Sequence, residues 1–460
     1  MSAAASPPQA PAELTRGQAD ALIRSRPYVV LLVITAIVGI VVSLAAWCFL
    51  EGTYQLQQLL FKHLPGDLGY HGELPLWYLL IVLGAAGLIV AWAIVRLPGR
   101  GGHIPVHGLA TGSPATPEQL PGILVAAVGT IGLGLVLGPE APLIALGTAI
   151  AVLTLRAARR ELPDQVRLVV GAAGSFAALS FIFTSPFIAA VILIEATGLG
   201  GSRQRLILLP GLMAAGIGSL VSIGMGSITG LSTSDYALGP LTLPSFHQPA
   251  FGDIAWTIAL SIAVAIVVQG IMWLGRRVER HATPRPFLVL PLVGLAVAAL
   301  AYVFGQVTDQ SSASVLLSGQ EALPTLVAGA GAWSIGTLVL LIVCKGLAYA
   351  GSLGSFRGGP TFPALFLGAA AGVMASHLPG FSETPGVAVC MAAATVSVLR
   401  LPLSAALLAI LLCAPVGAGS EPLISVAVAV ALVTTLLLTR PRGAQAEAGA
   451  PQPATAPATG

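Results

Sequence analysis

Charge is what this chain has least of. Only 8% of its 460 residues are Asp, Glu, Lys or Arg, while 56% are hydrophobic; a soluble domain carries about 25% charged residues. A soluble fold is therefore excluded, and the chain reads as a polytopic membrane protein. A net charge of +3 is too small to argue for a nucleic-acid partner. Cysteine is also scarce. Cys48, Cys344, Cys390 and Cys413 stand singly in apolar runs, without CxxC or Cys/His spacing. Disulfides and zinc are not expected, and these residues read as small buried hydrophobes. HExxH and GxSxG are both missing, which argues against an intramembrane hydrolase and against an enzyme in general. Neither an acidic ring nor a TVGYG-like filter is present, so a cation channel is not expected. No cofactor is implied.

Glycine (54) and proline (34) are abundant. Glycine permits close helix packing in lipid, and both residues break helices. Broken helices at membrane depth are tolerated where they line a cavity or are buried in protein. A channel or transporter is thus favoured over a simple anchor.

About a dozen apolar windows have spanning or near-spanning length. They lie near 28–50, 76–97, 120–137, 143–155, 168–194, 206–224, 254–275, 287–304, 324–350, 361–378, 385–412 and 423–439. The windows at 168–194, 324–350 and 385–412 are too long for one span and contain Gly or Pro. Window 143–155 has the length of a half-helix. Residues 1–27 and 441–460 read as disordered tails around a membrane domain at 28–440. No signal peptide is expected, since no separate apolar segment with a cleavage site precedes the first span.

Basic clusters mark one side: Arg16/Arg24/Arg26, Arg96/Arg100, Arg156/Arg159/Arg160/Arg167, Arg203/Arg205, Arg276/Arg277/Arg280/Arg285 and Arg440/Arg442. The positive-inside rule then puts both termini in the cytoplasm of a protein in the plasma membrane. The loops at 55–75 and 229–250 are nearly free of Arg and read as exterior.

The stretch GLVLGPEAPLIALGTAIA (134–151) organises the chain. Gly138 and Pro139 break one apolar helix, and Pro142 belongs to the first turn of another. A helix that starts within the bilayer turns free N–H groups and a positive dipole end toward whatever faces it, an arrangement that suits an anion. Glu140 sits at that spot and can compete for it. An acid inside a membrane span is rare and is read first as functional.

A second half looks like the first. GPEAPLIALGTAIA (138–151) precedes a small-residue helix and a break at Pro186. GGPTFPALFLGAAAG (358–372) likewise precedes a small-residue helix and a break at Pro402. The first and second prolines are 44 residues apart in one half (142 to 186) and 39 in the other (363 to 402). Matching breaks in two repeats, placed at about 76–224 and 254–439, point to a central binding site. A third break lies upstream, in GRGGHIP (99–105). His103 and His107, without acidic or Cys partners, are a weak metal signal. Of the remaining intramembrane charges, Glu195, Lys345, Arg357 and Arg400, the three basic ones give a positive field around the second break, which favours anions.

The three breaks, in this order, resemble the signature of the CLC family of chloride channels and proton–chloride antiporters. GGHIP (101–105) is similar to its GSGIP, GPEAP (138–142) to its GREGP, and GPTFP (359–363) to its GxFxP. TSPF (184–187) and RLPL (400–403) match its two later breaks, so the likeness runs over about 28–440. The resemblance implies an all-α fold of two inverted repeats of broken, tilted helices, and a homodimer whose subunits each carry a chloride (anion) pathway. It makes Glu140 the gating glutamate. It places Ala141, Thr361 and Phe362 where backbone N–H groups face the anion, and Gly102 where the family has an anion-contacting serine.

Several departures bear on that pathway. Gly102 supplies no hydroxyl, and His103 beside it is a candidate substitute donor. Pro360 has no N–H to give. Thr361 brings a hydroxyl where the motif has phenylalanine. The family's final helix with its tyrosine, and its cytoplasmic regulatory domains, are expected to be absent. In the antiporters two consecutive glutamates end the helix after the first later break; here Glu195 matches the first and Ala196 the second. Alanine carries no proton, so passive conduction is expected, with proton-coupled antiport the alternative and Glu195 its candidate relay. A non-conducting scaffold is the third reading.

Overall fold

The computed structural model describes residues 16–109, 114–158, 163–198, 201–231, 233 and 236–439. Helices α1 (Arg16–Ile23), α2 (Arg26–Gln58), α3 (Leu64–Asp67), α4 (Leu76–Arg96), α5 (Leu120–Ala127), α6 (Glu140–Ala157), α7 (Asp164–Phe183), α8 (Pro186–Thr197) and α9 (Gly201–Thr229) make the first half. The second holds α10 (Phe251–Ala282), α11 (Pro286–Val307), α12 (Ala322–Ala328), α13 (Ile335–Ser355), α14 (Thr361–Ala375), α15 (Glu383–Leu399), α16 (Pro402–Leu412) and α17 (Ser420–Leu438). No strand occurs among the described residues; one isolated antiparallel bridge joins Gly138 to Gly359. Nine helical stretches there are long and apolar enough to cross a membrane, and α8, α14, α15 and α16 are shorter apolar helices.

The overlong windows are split where the sequence carries its breakers. Window 168–194 divides between α7 and α8 at Thr184–Ser185, and 385–412 between α15 and α16 at Arg400–Leu401. Both breaks use the same device: the helix ends on a residue with positive φ (Thr184 +51°, Arg400 +57°), and proline opens the next helix two residues on. Ser185 also caps α8, its hydroxyl accepting from the Ile188 N–H. Window 324–350 divides between α12 and α13, which starts on the Ser334 cap.

The two halves repeat a packing order. The pairs α6–α7, α7–α8, α8–α9, α7–α9, α2–α7 and α2–α9 are in contact; so are α14–α15, α15–α16, α16–α17, α15–α17, α10–α15 and α10–α17. Gly147 and Gly368 fall at matching positions, five residues beyond Pro142 and Pro363. In each case a Cβ would strike the backbone of the neighbouring helix, at Gly174 and at Cys390. The halves are inverted. From its start at Arg26, α2 crosses to the side of residues 57–62, and α4 returns to residues 96–103. The far end of α10 meets that same side, through His107 Nε2 on Glu279 Oε1 at 2.7 Å. The end of α10 thus lies where α2 begins. Between the halves, α4 packs on α11 and α8 touches α16.

Three expectations change. The first repeat, expected at about 76–224, takes in α2 as well, since α2 meets α7 and α9 as α10 meets α15 and α17. Part of the segment expected to be disordered at 1–27 is helical: α1 packs on α9, and Ser25 caps α2. The 55–75 loop is helical as far as Asp67, because α2 continues through a π-helical turn (Leu59–His63) into α3. Residues 1–15 and 440–460, including Arg440 and Arg442, lie outside the described residues. So do Arg159 and Arg160, and the side chains of Arg16, Arg203 and Arg205.

Candidate anion site

Two chain breaks meet in the interior. Gly138 N–H donates to Gly359 O at 2.8 Å, and Gly359 N–H returns a bond to Gly138 O. This pair fixes the start of α6 against the start of α14. Glu140 is the first residue of α6 and is 1% exposed. Its Oε1 accepts from the Phe362 N–H at 3.0 Å, within the first turn of α14; its Oε2 has no hydrogen-bond partner. The side chain of one broken helix thus sits on the free N–H end of the other, where the macrodipole is positive. Gly138 and Gly359 make the room, since a Cβ on either would collide with the carboxylate. The Phe362 ring stacks on Phe183 (centroids 5.7 Å apart, 14° between planes), and the Tyr349 hydroxyl donates to Pro360 O at 2.6 Å. Both contacts hold the first turn of α14 in place.

Two cavities approach from opposite sides. One, about 390 Å³, is lined by Gly102, His103, Ala141, Thr148, Arg357 and Gly358 among others. The other, about 490 Å³, is lined by Gln57, Lys62, Pro139, Gln320 and Phe366 among others. Pro139 and Ala141 face different cavities, so Glu140 lies in the partition between them.

Five of the residues singled out in the sequence, Glu140, Gly102, His103, Ala141 and Phe362, therefore come together around the partition. Thr361 is also buried there, with its hydroxyl unpartnered. His103 bonds Gly108 O through Nε2 at 3.0 Å. Glu195 stands elsewhere. It accepts from Leu403 N–H (2.9 Å), Ser404 N–H (2.8 Å) and the Ser404 hydroxyl (2.6 Å), and so caps α16. Lys345 is buried with its ammonium on the carbonyls of Ser314, Val315, Leu316 and Leu317 at 2.9–3.3 Å and over the Phe366 ring. It stands behind the wall of the Gln57 cavity. Arg357 enters the His103 cavity itself, a placement signalled only by its position next to GGPTFP.

Broken apolar helices in two inverted halves, with helix N-termini converging on one buried carboxylate, define a membrane protein built to pass small anions. The profile of the family described as "Voltage gated chloride channel" matches residues 86–435, and the chain belongs to that family. It is 32% identical over 369 residues to "Putative ion-transport protein YfeO" of Escherichia coli O1:K1, covering 77% of this chain and 81% of that one. Its fold is similar to "X-ray crystal structure of a slow cyanobacterial Cl-/H+ antiporter", with a TM-score of 0.71, 19% identity, and 89% and 95% of the two chains covered. It is similar too to "Crystal structure of a CLC-type fluoride/proton antiporter", at 0.63, 17%, and 92% and 96%. The chain is thus a multi-pass membrane protein of an anion-transporting family.

Proposed function

We propose that this protein conducts chloride or another small anion passively between the Gln57 and His103 cavities, with Glu140 as the gate. The observation that carries this reading is the Glu140 carboxylate on the Phe362 N–H. That donor, at a helix N-terminus and away from water, suits an anion, and the carboxylate holds the place an anion would take. A proton on Glu140 removes the competing charge and frees the N–H. Conduction accordingly rises as external pH falls. Gly102, His103, Ala141, Thr361 and Phe362 form the anion-binding surround.

Support for passive conduction over antiport comes from Glu195. Its carboxylate is occupied by three donors at the start of α16, and Ala196 beside it has nothing to titrate. A relay needs a group free to change partners.

The test is flux from liposomes holding the purified protein. Wild type is expected to release chloride faster as pH falls. Glu140→Ala and Glu140→Gln are expected to show large flux that varies little with pH. An Ala variant that keeps the steep wild-type response ends the gating role. Protons driven inward by a chloride gradient alone would replace passive conduction with antiport. Absence of anion flux in both wild type and Glu140→Ala would leave a scaffold. The same reading makes the protein a homodimer with one pathway per subunit, so mass measured in mild detergent should be twice the 46.5 kDa of the chain.

A further inference from the structure

Arg357 lies in the link between α13 and α14, immediately before the glycines of the second break. It is 8% exposed and lines the His103 cavity beside Gly101, Gly102 and Gly358. Its backbone N–H donates to Thr130 Oγ1 at 3.3 Å, which anchors it to the turn that closes the α5 segment. Its stem crosses Gly101, where a Cβ would meet the Arg357 Cγ at 3.1 Å; Gly101 also has φ +75°. The backbone and the stem are therefore held.

The head of this side chain is only partly used. Nη1 donates to Ser355 O (3.3 Å) and Phe356 O (3.1 Å). Nε has no hydrogen-bond partner. None of the ion pairs among the described residues includes Arg357. Of the carboxylates on this side, Glu279 is engaged by His107 at 2.7 Å and Glu118 by Arg156 at 2.6 Å. A buried cation with no carboxylate in contact is costly, and so is a buried donor left unmade. An anion in the cavity would relieve both.

The shape of the head narrows the ligand. The Nε edge of a guanidinium presents two parallel N–H groups in a fixed plane, which match two oxygens of a planar oxyanion; a lone ammonium is a point charge. A spherical halide cannot take both bonds along their own directions. Gly102, with φ +89° and Ile123 Cγ1 3.2 Å from where a Cβ would stand, adds no side chain to the cavity.

We propose that Arg357 is the side-chain anion ligand of the His103 cavity, and that its fork gives the site a preference for planar monovalent oxyanions, of the nitrate or bicarbonate type, over halides. The proposal rests on the conduction reading above for its role in flux, and on the cavity alone for its role in binding.

Two measurements on the full-length protein test it. The first is flux of nitrate and chloride from liposomes, in the Glu140→Ala background so that the gate does not limit it. Nitrate is expected to pass several-fold faster than chloride. Arg357→Lys should abolish the nitrate advantage, bringing the nitrate-to-chloride flux ratio to about one. Arg357→Leu should lower flux of both anions by about ten-fold, the equivalent of one lost charge-assisted bond. The second is thermal unfolding in detergent. Nitrate should raise the melting midpoint more than chloride does, and Arg357→Lys should erase the difference while itself melting near the wild type. An unchanged nitrate-to-chloride ratio in both variants, with equal stabilisation by the two anions, overturns the proposal. Absence of flux, with Arg357-dependent stabilisation by nitrate intact, overturns conduction and supports the site. Loss of both overturns both.

Discussion

A single carboxylate is fitted into a space made by two glycines. A Cβ on Gly359 would fall on the Glu140 carboxylate, so the site's defining contact depends on a missing side chain. Gly359→Ala is expected to push Glu140 off the Phe362 N–H, to lower the melting midpoint, and to flatten the pH response of flux. Combined with Glu140→Ala, the same substitution should cost much less stability, because the group it strikes is gone. A double-mutant cycle measures that coupling; additive effects would place the strain elsewhere. Much of this site was legible in the sequence. An acid between prolines, at the start of a helix inside the bilayer, points to a helix N-terminus and an anion. Which N–H it meets was not legible, since Phe362 is 222 residues away and only the packing of α6 against α14 brings it near. In the sequence Arg357 is only a source of field, because nothing there tells a lipid-facing arginine from one that enters a cavity.

Glu195 shows how the setting of a helix end decides what a charged residue does. It sits at the end of α8 and satisfies two backbone N–H groups and a hydroxyl at the start of α16. Helix starts leave such N–H groups unpaired, and a carboxylate there is favoured by the dipole as well. Glu195→Ala should therefore cost about 1–2 kcal/mol, as loss of a helix cap does; Glu195→Gln, which keeps an acceptor, should cost less. Neither is expected to alter chloride flux or to create proton movement. A selective loss of proton transport in Glu195→Gln would instead make this residue a relay. The sequence offered only the local string LIEATG, whereas the cap partner comes from the other half. The helix breaks themselves were legible, because Pro186 and Pro402 mark them directly. The helical course of residues 55–67 was not, since its polar stretch resembles a loop until α2 is seen to continue through a π turn.

The two faces of the molecule carry different charge. Arg24 and Arg26 at the start of α2, Arg96 and Arg100 at the end of α4, and Arg276, Arg277 and Arg280 at the end of α10 all belong to the side of the His103 cavity. Arg156, at the end of α6, pairs there with Glu118 at 2.6 Å, and its hydrogen bond holds that carboxyl at about 2. Both partners are more than half exposed, so the pair lies at a polar boundary. The opposite cavity has Lys62 paired with Glu321 at its rim. Arginine retained on one side is expected to face the cytoplasm, and on that rule we propose that His103 and Arg357 line the inner route and Gln57 the outer. The orientation can be measured with a membrane-impermeant thiol reagent on intact cells, in a Cys48→Ser background because Cys48 is the exposed cysteine. Lys62→Cys is expected to label before the cells are opened and Arg280→Cys only after. Labelling in the reverse order would place the Arg357 fork at the outer mouth, and external protons would then reach Glu140 through the His103 cavity.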